Sequence, residues 1–250
     1  MTPFGVMANG RRKTLFVFNG ESNSGGFALN SQATVEELSP RSSVNILDNT
    51  GLASFLPLDV GTNNLVGHTG ISPSPTHGFE IELANRADTI AFYRKPCYLV
   101  KTGQGGSTAA QWQIGNGSGY YTAILNRINA AKSLLAGVNY RKIILLSLGI
   151  NDAIAGTNLT TWKALMTTHF ANLRAQLGGS TPIIMTQFQG MGASPSAYDA
   201  LNTAIQELCD TLPHTYCVSA AGAGLQDTNH WSYVGMKVVA GRMLDIAETL

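Results

Sequence analysis

The sequence has little charge: Asp, Glu, Lys and Arg make up only 12% of its 250 residues, and the formal net charge is +1. Its basic run Arg11-Arg12-Lys13 stands alone, with no Lys/Arg stripe elsewhere to follow a phosphate backbone, so no nucleic-acid partner is expected. Cysteine is scarce as well. Cys97, Cys209 and Cys217 are an odd set without CxxC spacing, which indicates neither a disulfide framework nor a metal site. Cys97 and Cys217 lie in strand-like runs and read as buried free thiols. Long apolar runs are missing, which argues against a membrane-spanning helix and a membrane partner. The opening MTPFGVMANGRRK has no apolar h-region, so no signal peptide is read in this chain. The protein is then either cytoplasmic, or secreted and seen in a trimmed mature form. A fold of this length buries about three quarters of its unfolded surface and needs no disulfide or metal for stability.

What is present is an alternation of strand-like and helix-like segments, the mark of an α/β fold with a mainly parallel sheet. Five strands are expected: Thr14–Phe18, Cys97–Lys101, Lys142–Leu148, Pro182–Phe188 and Thr215–Ser219. The first is a continuous apolar run, as suits a strand covered on both faces. Helices are expected over Phe79–Ala91, with Thr76 as N-cap and Glu80 in the first turn, and over Tyr121–Leu135. Others follow at Thr160–Leu177, closed by Gly178-Gly179, at Ala197–Leu212, and from Trp231 to the C-terminus. A polar stretch at about 30–76 reads as a long loop insertion. The economical expectation is a single domain over residues 1–250, a three-layer α/β/α flavodoxin-like fold with a five-stranded parallel sheet. Such sheets place ligands beyond the carboxyl ends of their strands.

Four of those ends carry chemistry. After the first strand comes Gly20-Glu21-Ser22-Asn23, where a serine on a tight turn would expose its hydroxyl beside a helix N-terminus. A plain helix cap is the alternative. After the second comes Gly103-Gln104-Gly105-Gly106-Ser107-Thr108, whose glycines let a backbone N–H approach a substrate, or simply form a turn. The Gly-Lys-Ser/Thr ending of a phosphate loop is missing. After the third comes Gly149-Ile150-Asn151-Asp152, in which an Asn amide offers an uncharged donor to an oxyanion, or caps a helix. Asp152 reads as a cap or structural acceptor. After the fifth comes Asp227-Thr228-Asn229-His230, a spacing that lets the carboxylate reach the imidazole and fix its tautomer. His68, His77, His169 and His214 have no such partner and read as structural or solvated, although His68 and His77 could border a pocket. Taken together, the four segments supply a nucleophile, two oxyanion donors and an acid–base pair in chain order, and the joint reading is preferred to four unrelated turns.

From Gly20 to about Gly235 the sequence resembles the SGNH (GDSL-like) hydrolases, with the Gly-x-Asn-Asp and Asp-x-x-His segments as the most specific parts. The resemblance implies a catalytic Ser22, Asp227 and His230, with an oxyanion hole of Ser22, Gly106 and Asn151. Gly106 is preferred to Gly105 for its place before Ser107-Thr108. Gly20-Glu21-Ser22-Asn23, Gly105-Gly106-Ser107 and Trp112 look most like the sialate O-acetylesterase and acetylxylan-esterase branch. That branch has Gln where this chain has Glu21, a position that need not take part in chemistry. The resemblance implies a serine esterase that removes O-acetyl groups from carbohydrate through an acyl-enzyme, with no metal or organic cofactor. Activity is expected to rise with pH through roughly 6–7, as a histidine base loses its proton. Its partner would be a small-molecule or polysaccharide acyl ester; nothing sets an oligomeric state. Gln111, Trp112 and Gln187 are candidate sugar contacts by their places near strand ends. The rival readings are a lipase or thioesterase of the same superfamily, which would need an apolar acyl channel, and a non-catalytic carbohydrate-binding flavodoxin-like module.

Overall fold

Leu15, Phe16, Val17 and Phe18 are all fully buried, as a strand covered on both faces requires. They form the middle of β1 (Lys13–Gly20), which is also the central strand of the main sheet. The computed structural model of the protein describes residues 12–48, 50–64, 74–90, 93–189 and 195–250. After β1 come α1 (Ser22–Gly25), β2 (Ala28–Leu29), α2 (Val35–Leu38), β3 (Arg41–Leu47), β4 (Phe55–Leu58), β5 (Thr76–His77), α3 (Glu80–Thr89) and β6 (Cys97–Gly103). The chain continues through α4 (Tyr120–Leu134), β7 (Tyr140–Ser147), α5 (Ile150–Ile154), α6 (Leu159–Leu177), β8 (Ile183–Thr186), α7 (Pro195–Thr211), β9 (Thr215–Val218) and α8 (Tyr233–Thr249).

The sheet has seven strands in the order β4-β3-β6-β1-β7-β8-β9, which corrects the expected five. The expected five are its contiguous parallel part, β6-β1-β7-β8-β9. The other two come from the polar stretch read as loop: β3 adds parallel to β6, and β4 antiparallel to β3. Both are hard to see in sequence. The apolar residues of β3, Val44, Ile46 and Leu47, are diluted by Ser and Asn, and β4 contains Pro57, which removes a ladder donor. β4 is an edge strand, where proline is tolerated. The same stretch holds α2, closed by a capping box between Thr34 and Glu37. Thr76 does not cap α3. It lies in β5, paired with Leu29, and its hydroxyl donates to the Gly26 carbonyl at 2.9 Å.

Side chains of successive strand residues point to opposite faces. Phe18 meets Phe79, just before α3, with ring centroids 5.8 Å apart, whereas Asn19 meets His169 of α6 at 2.7 Å. Helices therefore cover both faces, α3 packing with α8 and α6 with α4 and α7. Among the described residues no helix is long and apolar enough to cross a membrane, and no His/Cys/Asp/Glu cluster is arranged to hold a metal ion. Cys97 is buried as expected, but Cys217 is only half-buried, its thiol 3.1 Å from Gln206 Oε1.

Candidate active site

β1 ends at Gly20, where φ is +131° and a Cβ would lie 1.8 Å from the Ser147 carbonyl oxygen of β7. Only glycine fits a backbone this close to its neighbour. The chain then turns sharply. Glu21 donates its N–H to that same Ser147 oxygen at 2.8 Å, and its Oε2 caps α1 by accepting from Asn23 N–H at 3.1 Å. Ser22 is thus the first residue of α1, at the carboxyl end of the central strand.

His230, just ahead of α8, reaches this serine from across the sequence: its Nε2 lies 3.0 Å from Ser22 Oγ. Its Nδ1 lies 2.8 Å and 3.0 Å from the two carboxylate oxygens of Asp227. Asp227 Oδ1 also accepts from the backbone N–H groups of Asn229 and His230, each at 2.8 Å. Burial pushes the Asp227 carboxyl up, but these backbone hydrogen bonds and the His230 ring together outweigh it and hold it below the usual carboxylate range. An ionised Asp227 fixes the proton on Nδ1 and leaves Nε2 as the acceptor facing Ser22. The Phe27 ring stacks on the imidazole, with centroids 4.4 Å apart and planes 12° from parallel.

Asn23 ties the two loops together. Its Nδ2 donates to Asn229 O and its Oδ1 accepts from Trp231 N–H, both at 3.1 Å, so the side chain grips the backbone on either side of His230.

The β6 end lies against the Ser22 turn: a Cβ on Gly103 would fall 2.3 Å from Gly25 N, and one on Gly105 would fall 3.8 Å from Ser22 Cβ. Ser107 N–H closes the turn onto Gln104 O at 3.2 Å, with the exposed Gly106 at φ +75°, a conformation that favours glycine. Asn151, in α5 beyond β7, donates from Nδ2 to Ser107 O at 3.0 Å. Asp152 is a structural acceptor, its Oδ2 taking Ala109 N–H at 2.9 Å. The structure therefore joins Ser22, His230 and Asp227 in one hydrogen-bonded chain. It sets Gly106, in the loop after β6, beside Asn151 of α5, the two segments being linked through Ser107.

Several expectations change. Trp112 is fully buried and donates from Nε1 to Ser107 Oγ at 2.9 Å, so it holds the loop from beneath and does not face a sugar. Gln111 accepts from Thr108 N–H at 2.9 Å, and Gln187 is turned to Asn202 O of α7 at 3.4 Å. His77 and His169 are buried, and desolvation lowers each to about 4. His77 bonds Asn30 and His169 bonds Asn19, which makes both structural. His68 lies outside the described residues. The largest change concerns Glu21, whose side chain touches Ser22 itself. Its fully buried carboxyl puts Oε2 2.7 Å from Ser22 Oγ and Oε1 2.5 Å from Ser147 Oγ.

Residues 12–248 match the family described as carbohydrate esterase, sialic acid-specific acetylesterase. The chain belongs to this family. Solved structures share its fold at low identity. A protein from Arabidopsis thaliana is 20% identical, with a TM-score of 0.68 over 94% of this chain and 98% of that one. NanS is 13% identical, with a TM-score of 0.67 over 96% and 99% of the two chains. A carbohydrate acetylesterase from Xanthomonas citri is 16% identical, with a TM-score of 0.59 over 92% of this chain and 55% of that longer one. No curated protein matches the sequence. Family membership agrees with the resemblance drawn from the Ser22, Gly106, Asn151 and His230 segments.

Proposed function

We propose that the protein is a carbohydrate O-acetylesterase acting through an acyl-enzyme on Ser22. The observation that carries this reading is the continuous contact from Ser22 Oγ to His230 Nε2 at 3.0 Å and on from Nδ1 to Asp227 at 2.8 Å. Membership of a carbohydrate esterase family supports the substrate class. His230 takes the Ser22 proton as Oγ attacks the acetyl carbonyl. The tetrahedral oxyanion accepts hydrogen bonds from the backbone N–H groups of Ser22 and Gly106 and from the Asn151 amide. The sugar hydroxyl leaves with the proton held on His230. Water, deprotonated by the same imidazole, then releases acetate and restores Ser22.

Acetate release from acetylated glycans, measured for the wild type and Ser22→Ala, tests this. Ser22→Ala is expected to lose the activity and its labelling by a fluorophosphonate while keeping its melting temperature. A folded Ser22→Ala variant with wild-type turnover would overturn the reading. Asn151→Ala is expected to lower kcat by ~10²–10³-fold, the usual loss for one oxyanion donor.

A further inference from the structure

The Ser22 hydroxyl carries one proton and faces two acceptors. His230 Nε2 lies 3.0 Å from Oγ and Glu21 Oε2 lies 2.7 Å away, on a carboxyl with no exposed surface. The mechanism above uses only the first. We propose that Glu21 is a proton-holding partner of the nucleophile, which as a neutral acid leaves the Ser22 hydroxyl to His230 and as a carboxylate captures it. The proposal rests on the Ser22–His230 reading and deepens it.

The geometry assigns the protons. Glu21 Oε2 accepts from Asn23 N–H at 3.1 Å and Oε1 only from the more distant Asn23 Nδ2 at 3.5 Å, so the proton of a neutral Glu21 is placed on Oε1, where the Ser147 hydroxyl, 2.5 Å away and a donor to the carboxylate, would turn to accept it. The remaining carbonyl oxygen is a weaker acceptor than an imidazole nitrogen, and the Ser22 proton points to Nε2, the productive direction. Ionisation reverses the preference. A carboxylate makes a charge-assisted bond about twice as strong as a neutral one. It draws the Ser22 O–H to Oε2 and the Ser147 O–H to Oε1, leaving Nε2 facing an oxygen lone pair. The chain of bonds then runs away from the base, and attack by Oγ is suppressed.

The surroundings favour the neutral acid. Burial pushes the Glu21 carboxyl up, outweighing the hydrogen bonds from Ser147, Ser22 and Asn23 N–H and the field of His230. The groups around it are few. β7 presents the Ser147 hydroxyl, α1 presents Ser22 and Asn23, and the loop before α8 presents His230, backed by Asp227. On β6, which packs against α1, the charged residue is Lys101, and its charge is matched by Glu80 at 2.8 Å. A carboxyl retained as an acid in this setting gives the enzyme an alkaline limb: activity falls when Glu21 loses its proton.

The test is the pH profile of kcat/KM and of the fluorophosphonate labelling rate at Ser22, for wild type and Glu21→Gln. The amide has the size of the acid and cannot ionise. Wild type is expected to fall about tenfold per pH unit beyond its optimum, whereas Glu21→Gln keeps the rising limb and stays level on the alkaline side. If Glu21→Gln does not fold, Ser147→Ala takes its place. It removes a donor to the carboxylate and is expected to move the falling limb to higher pH. A falling limb that persists unchanged in these variants, or a wild-type profile without one, overturns the proposal. So does a loss of more than ~10²-fold at every pH in folded Glu21→Gln, since that would make the carboxylate itself the base. Failure of the underlying reading looks different: Ser22 would not label at all, and Ser22→Ala would stay active.

Discussion

Asn23→Ala isolates the cost of holding two distant segments together. The wild-type side chain is fully buried; its hydrogen bonds to Asn229 O and from Trp231 N–H are each 3.1 Å long, and a third, longer one reaches Glu21 Oε1 at 3.5 Å. Each such bond contributes about 1 kcal/mol net, and a buried N–H left without an acceptor costs ~1–3 kcal/mol. The His230 loop should therefore lose ~2–4 kcal/mol of anchoring. If the loop stayed in place, the whole loss would fall on stability, a drop in Tm of roughly 5–15 °C for a chain of this size. If the loop shifted, the imidazole would leave its 3.0 Å contact with Ser22, and a misplacement of about 1 Å costs ~10²-fold in rate. Asn229 O and Trp231 N–H flank His230 directly, so both effects are expected: kcat lower by ~10²-fold and Tm lower by roughly 5–10 °C. Asn23→Asp is the control. It keeps an acceptor for Trp231 N–H but sets an anionic oxygen against Asn229 O, so it should also slow the reaction. Acetyl-ester kinetics and fluorophosphonate labelling at Ser22, beside a thermal melt, measure all three quantities. A folded Asn23→Ala variant with wild-type kcat and labelling rate would refute the clamp.

Two further predictions concern stability. His77 and His169 are buried neutral at about 4 against an ordinary 6.5, so the unfolded chain binds their protons first. Their contribution is complete above pH 6.5 and is lost as pH falls toward 4, by about 3 kcal/mol each. Urea midpoints that stay level over this range would contradict it, and His169→Gln should flatten the slope. Lys101 and Glu80 are both fully buried with Nζ and Oε1 2.8 Å apart, and Glu80 Oε1 also accepts from Asn64 Nδ2 and Gly78 N–H, each at 2.9 Å. Lys101→Met strands a buried carboxylate and should cost ~3–5 kcal/mol, most of which Lys101→Met/Glu80→Leu should restore. A single variant as stable as wild type would argue that the pair is not sealed from water.

What could be read from the sequence was what short-range rules determine. Asp227 and His230 are three residues apart, and a loop of that length brings carboxylate to imidazole without help from the rest of the chain. The parallel strands β1, β6 and β7 announce themselves because burial on both faces demands unbroken apolar runs. β3 and β4 do not, because an outer strand needs only partial cover and tolerates the Ser, Asn and Pro that otherwise signal loops. The active site divides along the same line. Ser22 is visible as a serine after a strand, but the partners of its neighbours lie far away: Ser147 is 126 residues from Glu21, and Asn229 is 206 from Asn23. No local pattern distinguishes a glutamate that caps a short helix from one that also touches the Ser22 hydroxyl, since both accept the same N–H two residues on. The distinction arises only when β7 closes against β1 and seals the capping carboxyl from water, 2.7 Å from the Ser22 hydroxyl.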